Sequence, residues 1–258
     1  MQLQPKAYGL IGSQRKDVHL FMYGNQNNYY DMQASREGVS GYLVRTYRWM
    51  FMGLLLTFAV SYLGFATGFV WNILSGPAMI LLTIAEFGVV IYLSSRINQM
   101  APGTATALFF AYAALNGLVF SIYFLVFDAV TMIFAFAVAA LYFGVMAVYG
   151  AVTKKDLSGM GSMLFCGLIA LLVFSLLSAF FFGGSSFANI LIGAVGLVIF
   201  MGLTAYDTQK VKAFYYATSG NEEMAHKASI YGALQLYLDF INIFLYVLRF
   251  VGRNRRNN

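Results

Sequence analysis

From Trp49 onward, long apolar stretches alternate with short polar ones, and the apolar stretches set the fold. A helix needs about 20 apolar residues to cross roughly 30 Å of hydrocarbon. Seven segments approach that length: Tyr47–Phe69, Pro77–Ser95, Thr104–Val126, Val130–Val152, Met160–Phe182, Ala188–Thr208 and Ser229–Val251. Turn residues separate them, among them Ser75-Gly76-Pro77, Ala101-Pro102-Gly103 and Gly183-Gly184-Ser185-Ser186. Backbone groups in lipid must be paired within their own segment, so each stretch reads as a continuous helix. The pattern predicts an all-α integral membrane protein. Residues 1–45 read as a polar, flexible cytoplasmic tail, 46–253 as a seven-helix transmembrane domain and 254–258 as a basic C-terminal tail.

Composition agrees. Of 258 residues, 60% are hydrophobic and 10% charged, against about 25% charged in a soluble domain. The net charge of +6 would point to nucleic acid in a soluble protein; here basic loops explain it, and no nucleic-acid partner is expected. The lone Cys166 allows no intramolecular disulfide and reads as a small buried hydrophobe. His19 and His226 fall outside the expected spans without a second ligand at metal spacing, and read as solvated. Residues 1–48 include Arg15, Lys16, Asp17, Arg36 and Glu37 and lack the apolar core of a cleavable signal peptide.

The basic residues suggest an orientation. Lys6, Arg15, Lys16, Arg36, Arg45 and Arg48 precede or open the first span; Arg96, Lys154, Lys155, Lys210, Lys212 and Lys227 sit in the even-numbered loops. The odd-numbered loops carry no Lys or Arg. The positive-inside rule places the N-terminus and the even loops in the cytoplasm. Arg249, Arg253, Arg255 and Arg256 disagree, because an odd number of spans sends them outside. Either the last segment is a re-entrant hairpin or the outer side tolerates these arginines.

Acidic residues inside the apolar spans carry the candidate chemistry, because each costs on the order of 2.5–3.5 kcal/mol on insertion. Glu86 lies in the second span, Asp207 near the end of the sixth and Asp239 in the seventh, while Asp128 reads as a solvated loop residue. In the seventh span Tyr231, Gln235, Asp239, Asn242, Tyr246 and Arg249 recur at spacings of four, four, three, four and three. This spacing gathers them on one stripe. Such a helix faces protein or water rather than lipid, as either a hydrogen-bond seam or the lining of an ion pathway; Glu86, Gln235 and Asn242 are its candidate lining residues. Arg96 lies ten residues from Glu86, about 15 Å along the axis. It can instead reach Asp207 from a neighbouring helix, or simply snorkel. Gly64-Phe65-Ala66-Thr67-Gly68 is a small-xxx-small motif that signals close packing and not a dimer. The absence of lysine from the expected spans speaks against a retinal protein.

Several of these segments together resemble the transmembrane Bax inhibitor motif family, in its bacterial inner-membrane type. They are Ala205-Tyr206-Asp207-Thr208-Gln209-Lys210, the run Leu234 to Leu245 around Asp239, Met100-Ala101-Pro102-Gly103-Thr104, Ala113 to Leu118, and Lys154-Lys155-Asp156-Leu157-Ser158. The resemblance covers residues 42–253 and implies seven helices with the last one central. It also implies a pH-sensitive calcium leak in which Asp207 and Asp239 share a proton and bind calcium, with Arg96 the nearest match to an arginine that latches onto Asp207.

That chemistry is coherent, since calcium takes oxygen ligands and two close carboxylates titrate as a unit. Calcium enters as the transported ion, with protons and the lipid bilayer as the other partners, no cofactor and no enzymatic activity. One geometric condition follows: Asp207 and Asp239 meet only if the sixth helix continues past Lys210, or if the seventh enters the bilayer near Leu234. The apolar and aromatic stretch Val211–Tyr216 predicts the first. A different class, a non-transporting regulator that binds membrane proteins such as a protease or a cell-death factor, predicts that deleting residues 1–40 abolishes activity. A third, an intramembrane aspartyl enzyme, lacks the Gly-x-Gly-Asp context at either aspartate.

Overall fold

The structure is a computed structural model that describes residues 38–74, 77–181, 186–218 and 220–256. The chain divides into two units, Met1–Tyr42 and Leu43–Asn258. Of the first, the described residues 38–42 are helical.

Among the described residues, seven helices are long and apolar enough to cross a membrane. The first, α1, is Gly38–Ala66, followed by the short α2 (Val70–Leu74) and by α3 (Ala78–Arg96). Next come α4 (Pro102–Phe120), with the short α5 (Tyr123–Val126) extending it, and α6 (Ala129–Val152). The chain closes with α7 (Ser158–Phe181), α8 (Ser186–Ala217) and α9 (Glu222–Arg256). The protein is an all-α integral membrane bundle. Its outer side chains say so directly: Phe87, Leu176 and Val198 are 66%, 72% and 67% exposed, a surface that suits hydrocarbon and not water.

Local chemistry explains the helix ends. Pro102 opens α4, where its missing N–H costs nothing. Asp128 caps α6, accepting from the Thr131 N–H and hydroxyl at 2.9 Å each, and it is the exposed loop residue expected from sequence as well. Gly68 after α1 and Gly220 between α8 and α9 have φ of +73° and +85°, a left-handed region that glycine enters without strain. Gly68 therefore serves a turn, while a Cβ on Gly64 would come within 3.1 Å of Ser121. The close packing expected of the glycine motif thus rests on its first member.

Two expectations are corrected at the ends of the chain. Residues 38–45, expected as flexible tail, are helical, as are residues 254–256 at the other end; the rest of the expected tails, 1–37 and 257–258, lies outside the described residues, as does His19. The re-entrant alternative for the last segment falls, because α9 is one uninterrupted helix of 35 residues.

α9 is the most buried of the seven spans and α3 the least. It packs on α8, α6 and α4, and α1 reaches it through a hydrogen bond of 2.6 Å between Thr57 Oγ1 and the Tyr237 hydroxyl. Thr57 lies 2.9 Å from the Ala113 carbonyl and 3.0 Å from that of Gly53. Its single proton serves one of these, so Tyr237 is the donor to Thr57. Phe109 and Tyr112 both stand edge-on to the Tyr237 ring. Tyr237→Phe removes this junction of α1, α4 and α9 and is expected to cost about 1 kcal/mol, read as a lower melting temperature in detergent. By contrast, α7 packs on α8 through Leu171, Ile192 and Ile199, and Cys166 on it is exposed, not buried as expected from its apolar run.

Candidate functional site

The hairpin of α8 and α9 builds the site. The chain turns between α8 and α9, and α9 runs back antiparallel to α8. Val211 fills the space beside Gly232, and farther along Phe200 lies 5.9 Å from the Tyr246 ring. Between these two pairs the register sets Asp207 and Asp239 within about one helical turn (~5 Å) of each other along the axis. The condition read from sequence is met by its first branch, since α8 stays helical through Lys210 and on to Ala217.

Both aspartates are buried, at 7% and 3% exposure. The Asp207 carboxylate and the Lys210 ammonium both act electrostatically on Asp239. Among the described residues, Asp239 Oδ2 has no hydrogen-bond partner, and neither has Gln235 Oε1 one turn earlier on the same helix. Two buried oxygen acceptors on one stripe without a donor demand an explanation, since such atoms are nearly always satisfied. A proton on the carboxylate, ordered water or a cation can satisfy them. Among the described residues no group of three or more His, Cys, Asp or Glu is gathered at metal distance, so carbonyls and water must complete the shell of any cation bound here.

The remaining residues of the stripe divide. Tyr231 stands beside Lys210 and Phe214. Asn242 donates to the Leu238 carbonyl of its own helix at 2.8 Å, a local bond that satisfies that amide hydrogen without a partner helix. Tyr246 packs flat over Gly196, where a Cβ would run into the ring. Arg249 is exposed. The stripe is thus a pathway candidate at Gln235 and Asp239 and a packing seam beyond.

Glu86 lies apart from the aspartate pair. It acts on Tyr112 and Tyr237, the aromatic junction of α4 and α9, and its Oε1 has no hydrogen-bond partner among the described residues. Arg96 is not at Asp207. It is exposed and donates to Gln99 Oε1 at 2.6 Å, and the ion pair among the described residues is Lys227 with Glu223 at 3.1 Å. The latch expected from the resemblance is therefore absent from this conformation. Arg96 ends α3, the least embedded span, where a neighbour three residues away is reached more readily than a carboxylate on α8.

The residues around Asp207 act as fasteners, which sequence reading missed. Thr208 bonds the Tyr47 hydroxyl at 3.1 Å. Gln209 accepts from the Leu157 N–H and donates to the Lys155 carbonyl, each at 2.8 Å, clamping the loop between α6 and α7. Lys212 donates to the Ala151 carbonyl at 2.6 Å and closes the C-terminal end of α6. In the clamped loop, Asp156 accepts from Ser158, whose side-chain and backbone bonds hold its carboxyl below the ordinary carboxylate range. His226, expected as solvated, is half-buried, 5.8 Å edge-on from Trp49 and 3.3 Å from Thr106 Oγ1. The Gln209 and Lys212 partners lie more than fifty residues away in sequence, so no local pattern announces them.

The family model described as inhibitor of apoptosis-promoting Bax1 matches residues 39–256. The inner membrane protein YbhL of Escherichia coli K12 is 41% identical over 223 residues, covering 85% of this chain and 94% of that protein. An uncharacterised protein of Deinococcus radiodurans is 42% identical over 225 residues, covering 86% and 94%. An uncharacterised Rickettsia prowazekii protein is 39% identical over 230 residues, covering 85% and 92%.

Proposed function

The chain belongs to the family of inhibitors of apoptosis-promoting Bax1, and from that premise we propose that it is a pH-regulated calcium leak of a bacterial inner membrane. Its gate is the Asp207–Asp239 pair. One observation carries this reading: a buried carboxylate at Asp239, with an oxygen that no donor satisfies, stands beside a second buried carboxylate and one turn from the free Gln235 oxygen. An all-oxygen set suits calcium. Proton loss from the pair raises its attraction for a divalent cation, so flux rises with pH. With its N-terminus in the cytoplasm, as the basic loops argue, the leak runs between periplasm and cytoplasm, and the chain acts as a transporter and not as an enzyme.

The test is calcium entry into dye-loaded liposomes carrying the purified protein. Asp207→Asn is expected to retain one carboxylate and to flatten the pH dependence. A flux whose pH profile is untouched by that change removes Asp207 from the gate.

A further inference from the structure

Lys210 stands out among the cations of the α8 segment. Its neighbour Lys212 is spent on the Ala151 carbonyl, whereas Lys210 makes no hydrogen bond or ion pair among the described residues. Its ammonium lies over three rings, 5.8 Å from the centroid of Tyr206, 5.8 Å from Phe214 and 5.7 Å from Tyr231. Tyr206 and Phe214 flank it four residues to either side on α8, and Tyr231 closes the cage from α9. Distances under about 6 Å over a ring face are those at which a cation is attracted by the ring quadrupole.

The same lysine is one turn from Asp207, and its charge reaches both aspartates. It is held near the carboxylates without bonding either. The lysine stem is flexible over four carbons, so a short swing carries the ammonium from the rings to a carboxylate oxygen. The other charged groups of the neighbouring helices are engaged elsewhere, Arg96 with Gln99, Lys212 with the Ala151 carbonyl and Glu86 with the tyrosine junction, and the Tyr231 hydroxyl is the further titratable group that feels Asp207.

We propose that Lys210 is the tethered counter-cation of the Asp207–Asp239 pair, which calcium must displace, and that the ring cage of Tyr206, Phe214 and Tyr231 is where its ammonium is parked. This deepens the reading of the pair as the cation site and rests on it for the calcium step. A resident positive charge lowers the site's affinity for a divalent ion, which suits passage better than retention. The cage lowers the cost of moving the lysine aside, because the ammonium leaves the carboxylates for another partner and not for hydrocarbon.

The experiment uses the full chain in lipid nanodiscs with 15N-labelled lysine, the Lys210 Nζ resonance being identified by its loss in Lys210→Arg. In wild type that resonance is expected to move both on calcium addition and when Asp207 and Asp239 are replaced by Asn. In calcium titrations Lys210→Met is expected to bind about tenfold more tightly, the effect of removing one charge at close range. Lys210→Arg keeps the charge and is expected to stay within about threefold of wild type. A resonance indifferent to the aspartate replacements overturns the counter-cation assignment whether or not calcium binds. Unchanged or weaker calcium binding in Lys210→Met overturns the displacement. If wild type binds no calcium while the resonance still follows the aspartates, the calcium reading of the site falls and Lys210 stands as the counter-cation of the pair.

Discussion

Asp239→Asn is expected to reduce calcium flux at high pH to that of protein-free liposomes, while leaving the bundle as stable as wild type or up to about 1–2 kcal/mol more stable. Both halves follow from one feature. The Asp239 side chain lies at the centre of the most buried helix with an unpartnered oxygen. Ionising it there costs free energy that an amide does not cost, so folding gains from the replacement, or at worst loses nothing. Asparagine keeps the size and one oxygen but cannot carry charge. A divalent cation then meets only Asp207, offset by Lys210. A flux that drops together with a large drop in melting temperature would instead mark Asp239 as a structural residue.

The second large effect concerns the approach of α6 to α8. A Cβ on Gly150 would collide with the backbone of Ala205, two residues before Asp207, and backbone cannot swing aside as a side chain can. Gly150→Val is therefore expected to destabilise the bundle by about 3 kcal/mol or more, seen as early melting and aggregation on size-exclusion chromatography. Gly144 on the same helix has nothing within 4 Å of its added Cβ, and Gly144→Val is expected to be neutral within about 0.5 kcal/mol. Equal behaviour of the two variants would show that α6 does not hold Asp207 through this contact.

The hydrophobic pattern carried the fold because lipid leaves the backbone so few choices. Seven long apolar runs return as seven helices, and the polar stripe of the last run marks α9 as the most buried of them, packed on α8, α6 and α4. The continuation of α8 past Lys210 was legible in its aromatic and apolar residues, and with it the meeting of Asp207 and Asp239. Arg96 was not legible, because two partners lay within reach of its long side chain and spacing along one helix cannot rank a local amide against a carboxylate on another. The signal for the Lys210 cage was present in part, as Tyr206 and Phe214 four residues to either side, but Tyr231 joins them only through the α8–α9 register. His226 was misread for a related reason: its position in sequence says nothing of the Trp49 ring that awaits the side chain.

The central claim is that one buried aspartate pair makes the membrane permeable to calcium and sets the pH response. The most direct measurement is initial calcium flux into dye-loaded liposomes over a series of pH values, for wild type beside the double variant Asp207→Asn/Asp239→Asn. Wild-type flux is predicted to climb with pH by up to about tenfold per unit where the pair loses its proton, and the double variant to stay flat at background. A double variant that keeps the wild-type flux and its pH profile would contradict the account.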